Sequence, residues 1–374
     1  MFDNIRPLYD SELPEALQTI TASPIFAPIA QYVYPGEETD SVAARIRKLN
    51  DIYTLQETVM KDAFRRIIDD SITDFSYTGI EHLSKGHPYL FISNHRDIVL
   101  DAFMLQFVLL DYNDLYITFG ANLMQDPIIT LIGRANRMFR VERGGAPKEF
   151  YRNMLQVSSY IRQTIAAEGH SAWIAQRNGR TKDGLDRTEA SLLKMLALSG
   201  HATREAPLAP LKDLNIVPVS VSYEWEPCDL LKARELYLRA MGPYSKAKGE
   251  DMKSVLTGIM QPKGHVHLAI TAPIADEEID RCSATDSPFD NLAALIDRRI
   301  GAAYCLHPTN YAAYDLKYHT DHFADRYTSE LRSCLLDRFS SAPATSRNIL
   351  LDIYSNPVEC FSQSPITNHQ SPIT

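Results

Sequence analysis

The chain has 374 residues, 45% of them hydrophobic and 23% charged, with a formal net charge of −9. This is a globular composition, long enough to bury a substantial core in one large domain or two modest ones. The acidic balance excludes bulk nucleic-acid binding, which leaves a basic footprint, yet it leaves room for a local basic pocket. Cys228, Cys282, Cys305, Cys334 and Cys360 are dispersed without metal-ligand spacing and read as reduced thiols. No window approaches the roughly 20 apolar residues of a membrane-spanning helix. Met1-Phe2-Asp3-Asn4 does not begin a basic-then-apolar leader. The expected location is cytoplasmic, with any bilayer met from the side, at the inner face of the membrane.

In chain order, the first forty residues are rich in Pro and turn formers and predict an irregular lead-in. Ser41 is a plausible N-cap. After it, Val42, Ile46, Leu49, Tyr53, Phe64, Ile67 and Ile68 predict one long amphipathic helix, or two, packed on the protein's own body. Residues 1–74 thus form an N-terminal helical region. Over 75–304 short apolar runs alternate with helical stretches. The predicted strands are Tyr89–Ser93, Leu115–Phe119, Met138–Val141, Ala172–Ala175, Ile216–Tyr223 and His265–Ala272. The predicted helices are Ile98–Leu110, Lys148–Ala167, Glu189–Leu198, Asp229–Ala240 and Asn291–Ala303. The fold class that follows is α/β, a mostly parallel central sheet flanked by helices. A helical C-terminal extension is expected over 305–354, through Asp321–Phe339. Gln-Ser-Pro-Ile-Thr occurs at 363–367 and again at 370–374, so 355–374 is expected as a disordered tail.

The sharpest chemical feature is Asn94-His95-Arg96-Asp97-Ile98-Val99-Leu100-Asp101, where an apolar strand runs into a polar cluster and then a helix. An imidazole titrates near neutrality, and a carboxylate on its second nitrogen fixes the tautomer and stabilises the imidazolium, the requirements of a general base. Asp101 is favoured for that carboxylate, with Asp97 as the rival. A surface His beside two carboxylates that favour a helix N-terminus is the bland alternative. His265 and His267 alternate on one strand and share a face, but no third ligand stands near them in sequence, so no metal is expected. His307-Pro308-Thr309-Asn310-Tyr311 reads as a Pro-containing turn anchoring the C-terminal helix. No P-loop, dinucleotide fingerprint or Gly-x-Ser-x-Gly elbow is present.

Four ordered segments over roughly residues 75–230 resemble the glycerol-3-phosphate and lysophosphatidate acyltransferases. The first is the His95 segment, where the family's Asp position falls on Leu100 and Asp101 follows it. The second is Met138-Phe139-Arg140-Val141-Glu142-Arg143-Gly144-Gly145. The third is Trp173-Ile174-Ala175-Gln176-Arg177-Asn178-Gly179-Arg180-Thr181-Lys182-Asp183-Gly184, where Arg177 or Asn178 stands in place of the family's Glu. The fourth is Ile216-Val217-Pro218-Val219-Ser220-Val221-Ser222-Tyr223.

The resemblance implies transfer of a fatty acyl group from a coenzyme A or acyl carrier protein thioester to a hydroxyl of a glycerolphosphate acceptor, with no cofactor beyond the thioester co-substrate. Lysophosphatidate is the favoured acceptor and glycerol-3-phosphate the second. A non-phosphate lyso-lipid acceptor, or a lipid-binding relative without catalysis, are the alternatives. It implies His95 as general base. Arg143 and Arg180 would clamp the acceptor phosphate, with Gly144 and Gly179 bringing backbone N–H groups to the same anion and Thr181 keeping the pattern of that block. Arg96, Arg140, Arg177 and Asn178 are further candidates for that pocket, and Pro218 for the border of an acyl channel.

Overall fold

A computed structural model describes residues 2–142 and 144–361. Its centre is a seven-stranded sheet of β1 (Ile72–Thr78), β2 (Leu90–Ser93), β3 (Leu115–Gly120), β4 (Met138–Val141), β5 (Ser171–Ala175), β6 (Ile216–Tyr223) and β7 (Gly264–Ile270). The spatial order is β1-β7-β6-β2-β5-β3-β4, and every pairing is parallel except β6 with β7. All residues of β2, β5 and β6 are buried, as expected of central strands covered on both faces.

Side chains alternate across these strands, so one run feeds two cores. Phe91, Trp173, Val217, Val219 and Val221 pack on one face against Leu100, Met104 and Leu105 of the helix Leu100–Leu109. Leu90, Ile92, Ile174 and Ile216 pack on the other against Tyr160, Ile161, Leu193, Leu292 and Ile296. At about 25 cal/mol per Å², such fully buried side chains are each worth roughly 1.5–3 kcal/mol.

The lead-in is not irregular. Helices Leu13–Ala22 and Phe26–Val33 occupy it, and Leu13, Leu17, Phe26 and Ala30 form a core with Val42, Ile46 and Ile52. The next helix begins at Thr39 rather than after Ser41 and ends at Ile46. A second runs from Ile52–Leu55 through a π-turn at Gln56–Met60 into Lys61–Ser71. β1 starts at Ile72, where no strand was expected.

The C-terminal extension holds three helices, Pro308–Tyr318, Ser329–Ser341 and Arg347–Phe361. Leu335, Phe339, Leu350, Ile353 and Tyr354 close their core. The last helix corrects the expected tail as far as Phe361, while both Gln-Ser-Pro-Ile-Thr copies lie outside the described residues. Among the described residues no helix is long and apolar enough to cross a membrane.

Candidate active site

β2 ends at Ser93, and the side chain of Asn94 takes over the role of the strand. Its Nδ2 donates to the Val221 carbonyl (2.8 Å) and its Oδ1 accepts from Val221 N–H (2.7 Å), so the chain stays fixed to β6 for one more residue. His95 then leaves the sheet, and residues 96–99 form a loop before the helix Leu100–Leu109. Asp97 caps that helix, its Oδ1 accepting from Val99 N–H and Leu100 N–H at 2.9 Å each.

Asp101 lies in the first helical turn and is buried. Its Oδ2 accepts from Arg96 N–H (2.6 Å) and Asp97 N–H (2.9 Å) and sits 2.9 Å from His95 Nδ1. Its Oδ1 accepts from the Tyr223 hydroxyl at 2.6 Å. The extra residue relative to the family spacing is therefore taken up in the loop. Asp97 does not bond to His95: its Oδ2 is buried without a partner, lying where a side chain at Gly258 would be. Burial, and then the Asp101 charge, push the Asp97 carboxyl above the usual carboxylate range.

With Nδ1 held by Asp101, His95 turns its other nitrogen to an open cavity that it lines. The ring packs edge-on against Trp173, whose Nε1–H donates to Ser93 Oγ at 2.9 Å. Ile117, Phe119, Met138, Val99 and Ala102 make an apolar flank, and Gly179, Arg180, Lys182, Lys246 and Asp251 a charged one. Lys246 pairs with Asp251 (2.5 Å), and Lys182 with Glu235 (2.8 Å). Burial lowers the Lys182 ammonium despite that partner. Arg180 differs: it is 8% exposed, and its Nη1 is buried with no hydrogen-bond partner.

The other expected contact residues are distributed differently. Gly179 and Arg180 line the cavity, and Gly179 turns the loop at φ 81°. Arg96 does not reach it. Its guanidinium is 1% exposed and bonds Asp186 (2.7 Å) and Glu226 (3.0 Å), with its face near the Tyr304 ring. Lys232 joins this network through Glu226 (2.6 Å) and the Arg96 carbonyl (2.7 Å), giving two cations and two carboxylates beneath the loop. Thr181 is also structural, since its N–H donates to the His95 carbonyl (2.7 Å) and its hydroxyl to Asp186 (2.7 Å).

Arg177, Asn178, Gly144 and Arg140 do not line the cavity. Arg177 reaches the Leu185 carbonyl, Asn178 and Gly144 are exposed, and Arg140 pairs with Glu142. Pro218 falls on the opposite sheet face, because Val217 and Val219 flank it on the cavity face. Arg143 lies outside the described residues. Asp186, Glu226 and Asp251 are the contributors that sequence reasoning missed, while Asn94 and Tyr223 stood in the quoted segments with no role assigned.

Residues 74–222 match the family model described as Acyltransferase, a span that contains His95, Asp101 and Arg180 and ends just before Tyr223. No curated protein matches the chain in sequence. Among solved structures the chain is similar to PlsC, the 1-acyl-sn-glycerophosphate (LPA) acyltransferase of Thermotoga maritima, at 13% identity and a TM-score of 0.37, over 72% of this chain and 90% of that one.

Proposed function

We propose that the acyltransferase domain of residues 74–222 moves a fatty acyl group from a coenzyme A or acyl carrier protein thioester to a hydroxyl of a glycerolphosphate-type acceptor, with lysophosphatidate favoured and glycerol-3-phosphate second. The observation that carries this reading is the His95–Asp101–Tyr223 chain opening on a cavity with an apolar flank and a buried, unpartnered arginine nitrogen.

His95 Nε2 takes the proton of the acceptor hydroxyl while its oxygen attacks the thioester carbonyl carbon. The buried Asp101 carboxylate stabilises the imidazolium that forms. As the tetrahedral intermediate collapses, the C–S bond breaks and the imidazolium returns its proton to the leaving sulfur, so the products are an ester and a free thiol. Such general-base assistance is worth about 10²–10⁴ in rate. Arg180 Nη1–H donates a charge-assisted hydrogen bond to an acceptor phosphate oxygen. The side chains of Ile117, Phe119, Met138 and Ala102 accompany the acyl chain.

This chemistry suits a cytoplasmic protein that touches the inner membrane face from the side. Exposed Met241, Met252, Leu256 and Met260 support that placement, since three of them share the helix Glu250–Met260 with the cavity residue Asp251. The test is thiol release from palmitoyl-coenzyme A and from an acyl carrier protein thioester, with either acceptor, in wild type and His95→Ala. Acceptor-dependent release that falls by at least about 10² in the variant is the expected result. Equal rates in the two proteins reject the mechanism.

A further inference from the structure

On the sheet face opposite the cavity, His265 at the start of β7 meets Cys305 and His307, which lie in the link between helices Pro288–Ala303 and Pro308–Tyr318. Val266 and Leu268 fill the cavity-side core, which places His265 on the other face. We propose that His265, Cys305 and His307 bind one zinc-class transition-metal ion that ties the C-terminal extension to the sheet.

One ligand atom from each of the three lies within 4.8 Å of the other two. Bonds of about 2.0–2.3 Å in a tetrahedral site put ligand atoms about 3.5 Å apart, so the closure required is about 1 Å, within the reach of side-chain torsions. The donor set is one thiolate and two imidazoles. It suits zinc, or cobalt as a probe, and does not suit magnesium or calcium, which take oxygen ligands. On binding, the Cys305 thiol yields its proton to solvent and the sulfur coordinates as thiolate.

The surroundings resemble the outer shell of a metal site. Ser76 Oγ is 2.7 Å from His265 Nε2, and Ser222 Oγ is 3.3 Å from His307 Nε2, so each imidazole has a partner that fixes its ring. The two rings stand at 88° with centroids 5.0 Å apart, converging rather than stacking. The Asp74 carboxylate, 3.6 Å from the same His265 Nε2, belongs with Ser76 to that outer shell, so the ion is taken at Nδ1 and solvent supplies the fourth position. His307 is 1% exposed and its N–H is capped by Asn310 Oδ1 at 2.8 Å, so the ligand from the extension is already in place.

A metal here joins segments about forty positions apart in sequence. Its ligand Cys305 directly follows Tyr304, the ring that faces Arg96 below the His95 loop.

The experiment titrates full-length, chelator-treated protein with Co²⁺, then repeats the titration with Cys305→Ser, His307→Asn and Ser76→Ala. Wild type is expected to show a thiolate-to-cobalt charge-transfer band saturating at one equivalent, and a melting temperature that rises by several degrees with zinc. Cys305→Ser should lose the band while its metal-free circular dichroism and melting temperature match wild type. Ser76→Ala should keep the band with affinity weakened about 10–100-fold. The exposed thiols Cys334 and Cys360 supply the control, because a band retained in Cys305→Ser assigns the cobalt to them and overturns the proposal. Neither a band nor a thermal shift in wild type overturns it as well.

Discussion

Asp101→Asn isolates the charge of the orienting carboxylate from its geometry. Asp101 Oδ2 receives Arg96 N–H and Asp97 N–H and faces His95 Nδ1, and those backbone donors cannot reverse. The amide oxygen of Asn must therefore occupy the same position. Its NH₂ then points at Tyr223, whose hydroxyl can rotate from donor to acceptor. The tautomer of His95 is kept, and only the negative charge beside the forming imidazolium is lost. For charge centres about 4 Å apart at an effective dielectric constant of about 20, that charge is worth about 4 kcal/mol, or about 10³ in rate.

Asp97→Asn supplies the contrast. Asn retains the helix cap through its oxygen, and the charge it removes is one that burial and the Asp101 charge already disfavour, so kcat should stay within about threefold of wild type. The assay is initial-rate thiol release at saturating donor and acceptor. A larger loss in Asp97→Asn than in Asp101→Asn, or an Asp101→Asn enzyme with more than about a tenth of wild-type kcat, would refute the reasoning.

Arg180→Ala should raise the acceptor KM about 10–100-fold, the value of a charge-assisted hydrogen bond, and leave the donor KM unchanged. Varying each substrate at fixed co-substrate checks this, and an unchanged acceptor KM removes Arg180 from phosphate binding. Arg96→Met leaves Glu226 to Lys232 and Asp186 to the neutral donors Thr181 and Asn94, and should cost about 3–5 kcal/mol in denaturant unfolding. Asp97 also makes a pH prediction. A carboxyl raised above its ordinary value of 3.8 holds its proton more tightly folded than unfolded, so its contribution to stability is lost as pH rises through the folded value. Asp97→Asn should therefore melt higher than wild type at neutral pH, with the gain shrinking as pH falls toward 4; a constant difference across that range contradicts the shift.

The central strands were legible because β2 and β6 are apolar throughout and buried on both faces. β1 was not, since Ile72–Thr78 carries Asp74 and exposes part of its length at the sheet edge. The first two helices were hidden by their prolines. Pro14 is in the first turn of Leu13–Ala22, where the missing N–H costs nothing, so a turn former in sequence is a helix starter in the fold. Pro127 repeats the pattern behind its Asp126 cap. The pairing of His95 with Asp101 was within reach of local reading, because both belong to one loop and one helical turn. Tyr223 is more than a hundred positions away from Asp101 and arrives only through the β2–β6 pairing.

The same pairing explains why the arginine that follows the histidine serves structure rather than substrate. Asn94 fixes the end of β2 to Val221, so His95 and Arg96 must diverge as the chain leaves the sheet. His95 turns toward the cavity beside Trp173. Arg96 turns inward, where only full pairing makes a buried guanidinium tolerable. Asp186 from the loop after β5 and Glu226 from the loop after β6 provide it, and Thr181 of the former loop also holds the His95 carbonyl. The loop that carries Arg180 to the cavity is thereby bound to the loop that carries His95. The proposed base and the proposed anion site, on separate strand ends, are kept in fixed relation by a buried ionic network that does not line the cavity. The position of His95 thus depends on residues about 90 and 130 positions away, and substitutions at Asp186 or Glu226 should affect the rate through the base's placement.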